Sequence, residues 1–163
     1  MPSFVIHIAS GNEYLKKYKN DIKNKKEFLD GIIAPDLIKN KRASHYGSSE
    51  EKESLINYLK NNKNTLTNDF KKGYFLHLYA DFVMYSKYFP KVPLYNDYDI
   101  ITEYMVNKYD VKLPEKLSKY GEFKEGELTY LSYEFLDKFI EEVIEKDIYQ
   151  IIKEMEEEYE YKD

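Results

Sequence analysis

Residues 70–88 constrain the fold most, because this stretch is apolar on most faces and is long enough for about five helical turns. The Asn-Asp pair at 68–69 just before it supplies a helix cap. A helix that is apolar around most of its circumference is typically buried at the centre of a bundle. This one also carries His77 and Asp81, whose burial demands a polar partner.

The rest of the chain predicts further helices and no strand. Ser3 can cap a helix that runs to about Tyr18, and Ser48 with Glu51 has the spacing of a capping box for a helix that reaches about Asn62. The remaining segments are a polar connector at 20–26, a loop at 39–47, a helix ending near Tyr109, a linker containing Pro114, Gly121 and Gly126, and one C-terminal helix from about Leu128 to Tyr159. No useful run alternates as a strand does. We therefore expect an all-α, single-domain helical bundle over residues 1–163.

Composition limits the possible functions. The net charge of -5 argues against a stable nucleic-acid complex, because phosphate neutralisation needs clustered cations. The chain has no cysteine, so a metal would have only nitrogen and oxygen ligands, which favours zinc, manganese or iron over an iron-sulfur cluster. No run approaches the roughly 20 apolar residues of a membrane span, and no signal peptide is visible. We expect a cytoplasmic protein without a transmembrane segment.

The chain has three histidines, each in a setting that suits a metal ligand. His77 and Asp81 are four residues apart, so on a helix they can ligate one ion from a single face. Gly73 lies one turn earlier, where a missing side chain admits another backbone or a substrate. The alternative is a hydrogen-bonded core pair, with Gly73 serving as a helix-packing contact.

The other candidates each have a structural alternative. Asp36 follows Pro35, which predicts a fixed bend, and it could simply cap a helix at 37–40. His7 could be a core histidine on the edge of the first apolar stripe, and His45 a solvent-facing loop residue. Two more carboxylates precede a helix, where capping and the helix dipole explain them better than a metal does. These two are Asp97 and Asp99. Taken jointly, however, three histidines with Asp36 and Asp81 supply the ligands of one or two hydrolytic ions.

The order and local sequence of these residues resemble the zinc-dependent phospholipase C family, which is related to single-strand-specific nucleases. The similarity covers roughly residues 1–110, our predicted metal-binding core, and leaves residues 127–160 as a compatible C-terminal helix. The matching elements are His7, Gly31-x-x-Ala34-Pro35-Asp36, Ser44-His45-Tyr46 and Gly73-Tyr-Phe-x-His77-x-x-x-Asp81.

The resemblance implies an all-α bundle around a zinc cluster that activates water to cleave a phosphodiester. It implies that one ion is bound by Asp36, His45, His77 and Asp81. Asp81 would bridge to a second ion, which His7 also binds. The substrate would contain a phosphoester, in a lipid or a nucleotide.

The chain also departs from the family pattern. Exported members use an N-terminal tryptophan to complete the second ion's shell, and this chain has no Trp. No histidine follows His77 for a third ion, although Asp99 or Glu103 offers oxygen ligands. We therefore expect one or two ions, with Asp97 and Asp99 as possible additional ligands.

The resulting hypothesis is a metal-dependent hydrolase in which a metal-activated water attacks phosphorus. Asp36 would ligate and orient that water, while Lys41 and Arg42 would hold the substrate phosphate. One alternative is an HD-type phosphohydrolase, although its adjacent His-Asp pair is absent. Another is a non-catalytic metal-binding protein that uses its acidic C-terminal helix to bind a partner.

Overall fold

The computed structural model describes residues 3–162 and the side chains through Tyr159. Within that range the secondary structure is helical, with no strand, which confirms the all-α prediction. The α-helices are α1 (Phe4–Lys17), α2 (Lys25–Leu37), α3 (Lys41–Ser44), α4 (Lys52–Asn61), α5 (Asp69–Phe82), α6 (Tyr95–Tyr109), α7 (Tyr133–Val143) and α8 (Ile148–Lys162). A π-helical segment (Val83–Tyr88) continues α5, and 3₁₀ turns occupy Thr65–Thr67 and Glu115–Gly121. None of the helices described has both the length and the apolar character that crossing a bilayer requires.

Helix α5 lies at the centre of the bundle, as its apolar composition predicted. Phe75, Leu76 and His77 on this helix have no exposed surface. The Asn68 side chain caps α5 by accepting a hydrogen bond from the Lys71 amide at 3.0 Å. Helix α5 packs mainly on α2 and also touches α1, α4 and α8.

The predicted capping box at Ser48 is wrong. Helix α4 begins at Lys52, and Glu51 occupies the N-cap position without a side-chain hydrogen bond. The Ser48 hydroxyl instead accepts from the Glu50 amide, while the Ser54 hydroxyl donates to the Ser48 carbonyl at 2.5 Å. The Ser48 hydroxyl therefore bonds an amide ahead of α4, and its carbonyl is tied to the helix by Ser54.

The predicted bend at Asp36 is also wrong, as is its alternative role as a cap for 37–40. Helix α2 passes through Pro35 and ends at Leu37, which places Asp36 in its last turn. A proline so near the helix end costs one hydrogen bond and leaves little helix to disrupt. The expected loop at 39–47 contains the single helical turn α3, which Asn40 caps by accepting from the Ala43 amide at 3.1 Å.

The C-terminal segment forms two helices rather than the predicted one. The chain breaks helical structure between α7 and α8, and two tyrosines, one in α1 and one just after it, bond the polar groups exposed there. Tyr18 donates to the carbonyls of Ile144 and Glu145, each at 2.8 Å, and the Ile148 amide donates to the Tyr14 hydroxyl at 2.9 Å. The apolar periodicity continues across the break, so the local pattern did not reveal it.

Helices α2 and α5 touch backbone to backbone at two glycines. A Cβ on Gly31 would lie 2.0 Å from the Phe70 carbonyl oxygen, and one on Gly73 would lie 2.0 Å from the Phe28 carbonyl oxygen. Real Cβ atoms do not approach backbone this closely, so any side chain at either position would push the helices apart. The predicted close approach at Gly73 is therefore confirmed, and its partner is the backbone of α2.

We predict that Gly73→Ala lowers the free energy of unfolding by about 1–3 kcal/mol or more, because the new Cβ forces α2 and α5 apart. Gly11→Ala is the matched control, since its Cβ would meet only side-chain atoms of Leu29 and Ile32, at 3.1 and 3.2 Å. Chemical denaturation of both variants measures the difference. Equal stabilities would contradict the backbone contact.

Candidate metal centre

Five side chains from four parts of the fold converge beside the core. His7 comes from α1, Asp36 from the last turn of α2, and His45 from the residue that ends α3. Helix α5 contributes His77 and Asp81 from successive turns. His45 is only 6% exposed, so the alternative of a solvent-facing loop histidine is wrong.

Four of these side chains approach one another at distances that suit the ligands of a zinc ion. His45 Nε2 lies 3.3 Å from Oδ1 of Asp36 and 3.3 Å from Oδ2 of Asp81. His77 Nε2 lies 3.4 Å from Asp36 Oδ2 and 3.2 Å from Asp81 Oδ2. Ligands bound about 2.0–2.1 Å from a tetrahedral ion stand about 3.3–3.4 Å apart. The four imidazole-to-carboxylate distances are close to this spacing.

Asp81 presents its two oxygens to different histidines. Oδ2 faces His45 and His77, whereas Oδ1 lies 3.0 Å from His7 Nε2. The rings of His7 and His77 stack with their centroids 3.5 Å apart. This arrangement is the one that a carboxylate shared between two neighbouring ions would need.

Main-chain carbonyls orient two of the imidazoles. His77 Nδ1 lies 2.6 Å from the Ile32 carbonyl oxygen, and His45 Nδ1 lies 2.9 Å from that of Lys41. A carbonyl accepts only from N–H, so each ring carries a proton on Nδ1. Nε2 is therefore the nitrogen that faces the carboxylates: it carries the second proton of the imidazolium, and it would be free to ligate a metal once that proton leaves.

Buried polar atoms without hydrogen bonds mark the same place. Among the described residues, Asp36 Oδ2, His77 Nε2 and His7 Nδ1 are inaccessible to solvent and have no hydrogen-bond partner. Such atoms are costly unless something else satisfies them. For Asp36 Oδ2 and His77 Nε2, which lie 3.4 Å apart, a shared cation would do so. Two overlapping sets have ligand atoms close enough to hold an ion: His7 with His77 and Asp81, and Asp36 with His45 and His77.

The local charges favour a cation. Burial opposes ionisation of Asp81, but His7 and His77 outweigh it and hold the pKa of this carboxyl well below its usual range. Burial likewise opposes protonation of His77 and His45, yet the neighbouring Asp36 and Asp81 raise their pKa values to about 10 and about 9. Burial and the nearby His77 lower the pKa of His7. Two ionised carboxylates therefore draw positive charge into the site.

The cluster opens onto a cleft of about 580 Å³. Asp36, His45 and Asp81 form part of its wall, together with the side chains predicted to bind phosphate, Lys41 and Arg42. Lys41 is already engaged, because it donates to the Asp36 carbonyl and lies 3.7 Å from the Asp36 carboxylate. Arg42 is exposed at the rim and is the only arginine in the sequence.

Asp97 and Asp99 do not join the described metal-ligand sets. Asp97 is buried in the first turn of α6, where its carboxylate accepts three backbone amides from the segment before α7, at 2.7–2.9 Å. Asp99 is exposed beside a different pocket. Prediction of Asp97 as an additional ligand is therefore wrong, because its oxygens are committed to the backbone.

Comparison with known protein families is consistent with this geometry. A family model for zinc dependent phospholipase C matches residues 3–162. The chain belongs to this family. The match extends through the C-terminal third, which the sequence resemblance did not include. Neither a curated protein nor a solved structure matches the chain. Membership in the zinc dependent phospholipase C family, with the buried His/Asp cluster, indicates a metal-dependent hydrolase.

Sequence reasoning missed the groups that support the ligands. The carbonyls of Ile32 and Lys41 have no sequence signature, since every residue supplies a carbonyl. Gly31 was visible as a glycine in an apolar stretch, but its pairing with Gly73 depends on how α2 and α5 pack. Tyr85, which lies four residues after Asp81 and lines the cleft, could have been found by extending the His77–Asp81 face by one turn.

We predict that zinc affinity of the metal-free protein rises from about pH 6 to about pH 8. His45 and His77 hold protons at neutral pH, given their raised pKa values, and a zinc ion must displace them. Calorimetric titrations in buffers with different ionisation enthalpies would count the released protons. His45→Gln should release about one proton fewer, and an identical count would contradict the assignment.

We predict that Asp97→Ala destabilises the fold without removing metal. Three backbone amides lose a charged acceptor, so the free energy of unfolding should fall by about 2–4 kcal/mol. Denaturation and elemental analysis of the same sample test this. A loss of bound zinc in a folded variant would restore Asp97 as a ligand.

Proposed function

We propose that this protein hydrolyses a phosphoester or phosphodiester with zinc as its cofactor. The close approach of two imidazoles to two carboxylates, among Asp36, His45, His77 and Asp81, carries the proposal, because distances of 3.2–3.4 Å suit ligands that share a zinc ion. These residues would bind one ion. His7 and the second oxygen of Asp81 would bind another, for a total of one or two ions.

A zinc ion in this site would lower the pKa of a bound water to roughly 7 and offset negative charge on the phosphoryl group. The protein's own contribution is to hold the ligands rigidly. The carbonyls of Ile32 and Lys41 fix the orientation of the two imidazoles, so a metal would displace a proton from each Nε2 without rotating the rings.

Asp36 is the proposed catalytic carboxylate. Burial opposes its ionisation, but His77 and the hydrogen bond with His45 hold its pKa below the usual range, so it stays ionised at neutral pH. Its two oxygens face different histidines, and its side chain also lines the cleft. This position supports the proposal that Asp36 both ligates a metal and orients an attacking water through a hydrogen bond.

Arg42 and Lys41 are the proposed binding groups for the substrate phosphate. Arg42 suits this role better, because a guanidinium can bind two phosphate oxygens at once and Lys41 is held by Asp36. Arg42 is the only arginine in the sequence, and it lines this cleft. A screen of lipid and nucleotide phosphoesters would identify the class of substrate.

We predict that Asp81→Asn loses most of its bound zinc and falls in phosphodiesterase activity by at least about 100-fold, because this carboxylate faces all three histidines that would hold metal. Elemental analysis and hydrolysis of bis(p-nitrophenyl) phosphate measure the two effects. Asp99→Asn, an exposed carboxylate outside the cluster, is the control and should match wild type.

Two outcomes would count against the proposal. Full activity of the Asp81→Asn variant would exclude this ligand arrangement. Bound zinc in wild type with no turnover of any phosphoester would favour the non-catalytic alternative, in which the site only stabilises the fold. Manganese and iron reconstitution of the chelated protein, assayed in parallel, would identify the active metal.

A further inference from the structure

Tyr85 lies on the cleft wall one turn beyond the metal-ligand face of α5. It falls within the π-helical segment (Val83–Tyr88), four residues after Asp81, and lines the cleft together with Asp36, His45 and Asp81. Widened π turns commonly occur at functional sites, where they reposition a side chain. The side chain of Tyr85 is only partly buried, so one part of it faces the cleft.

The Tyr85 hydroxyl is bonded to a second, more deeply buried tyrosine. The hydroxyl oxygens of Tyr85 and Tyr98 are 2.7 Å apart, and Tyr98 on α6 is only 7% exposed. Each hydroxyl has one proton to donate, and the Tyr85 oxygen is the hydrogen-bond partner that the structure gives the Tyr98 hydroxyl. The direction of this bond decides which proton stays free.

Burial determines the direction. If Tyr85 donated, the Tyr98 proton would be left in the interior without an acceptor, which is costly. If Tyr98 donates, the free proton belongs to Tyr85, a partly buried residue of the wall of a cleft that water or substrate can enter. The second arrangement is therefore favoured, and it makes Tyr85 an oriented hydrogen-bond donor.

Both hydroxyls stay protonated at neutral pH. Burial raises the pKa of Tyr85, and the negative charge of Asp81 raises it further. Burial and the neighbouring Tyr85 raise the pKa of Tyr98. The neutral Tyr85 hydroxyl could therefore donate a hydrogen bond to a phosphate. The exposed cations at the rim of the cleft would supply positive charge to the same phosphate, and of these Lys41 is held by Asp36.

We propose that Tyr85 binds substrate by donating its hydroxyl proton to a non-bridging phosphoryl oxygen, and that Tyr98 is a positioning residue that orients it. This inference rests on the proposed phosphoesterase function. It adds a binding group on the wall formed by α5, separate from Arg42 and from the metal ligands.

The test compares Tyr85→Phe, Tyr98→Phe and Tyr88→Phe in the zinc-loaded protein. Each removes one hydroxyl, and Tyr88 is the control because its hydroxyl bonds Glu142 instead of lining the cleft. With zinc content unchanged, kcat/KM for bis(p-nitrophenyl) phosphate should fall about 10- to 100-fold in Tyr85→Phe. It should fall about three- to tenfold in Tyr98→Phe, where Tyr85 is present but not oriented. The control should match wild type.

A Tyr85→Phe variant as active as the Tyr88→Phe control would overturn the inference. An unchanged Tyr98→Phe variant would overturn the orienting role. Calorimetric titration of the zinc-loaded proteins with inorganic phosphate gives a second readout that needs no turnover. If wild type hydrolyses neither this diester nor any other phosphoester, the proposed function fails. In that case, weaker binding of inorganic phosphate by Tyr85→Phe than by wild type would still support the tyrosine's role. If the two proteins bind phosphate equally, or if neither binds it, the inference is overturned.

Discussion

The contact between the backbones of α2 and α5 sets the geometry on which the metal centre depends. With glycine on both sides, the helices approach until carbonyl groups nearly touch the opposing chain. One consequence lies a turn further along, where the Ile32 carbonyl of α2 reaches His77 of α5 at 2.6 Å. Another is that Asp36, near the end of α2, stands within about 3.4 Å of His77 Nε2. A wider spacing between the two helices would lengthen both the His77–Ile32 hydrogen bond and the distance from His77 to Asp36.

The same close approach explains how so much charge is tolerated beside a core. Asp36 and Asp81 face three imidazoles in a space with little solvent, so each carboxylate has opposite charge or hydrogen bonds close by. Without a cation, protons on His45 and His77 provide part of the balance. Such a preorganised site exchanges protons for metal with little movement of the protein. Its rigidity comes from helices rather than from loops.

The sequence predicted which side chains converge better than it predicted where the surrounding helices begin and end. The all-α class, the caps at Ser3 and Asn68 and the convergence of five ligand-type residues follow from local patterns and from the rarity of histidine. The helical position of Asp36 did not, because Pro35 suggests a bend, whereas a proline so near the end of α2 leaves the helix intact to Leu37. The break between α7 and α8 was likewise hidden, since tyrosines of a distant helix satisfy its polar groups. Cytoplasmic location and the roles of individual ligands stay predictions.

The bonds from Tyr14 and Tyr18 to the α7–α8 junction also bear on how one wall of the metal centre is held. They join the helix that carries His7, and the residue that ends it, to groups about 130 residues later in the chain. Closing so long a loop costs conformational entropy, so these bonds depend on the rest of the bundle being folded. Damage to the junction, although it lies far from His7 in sequence, would therefore loosen the helix that presents this histidine to Asp81.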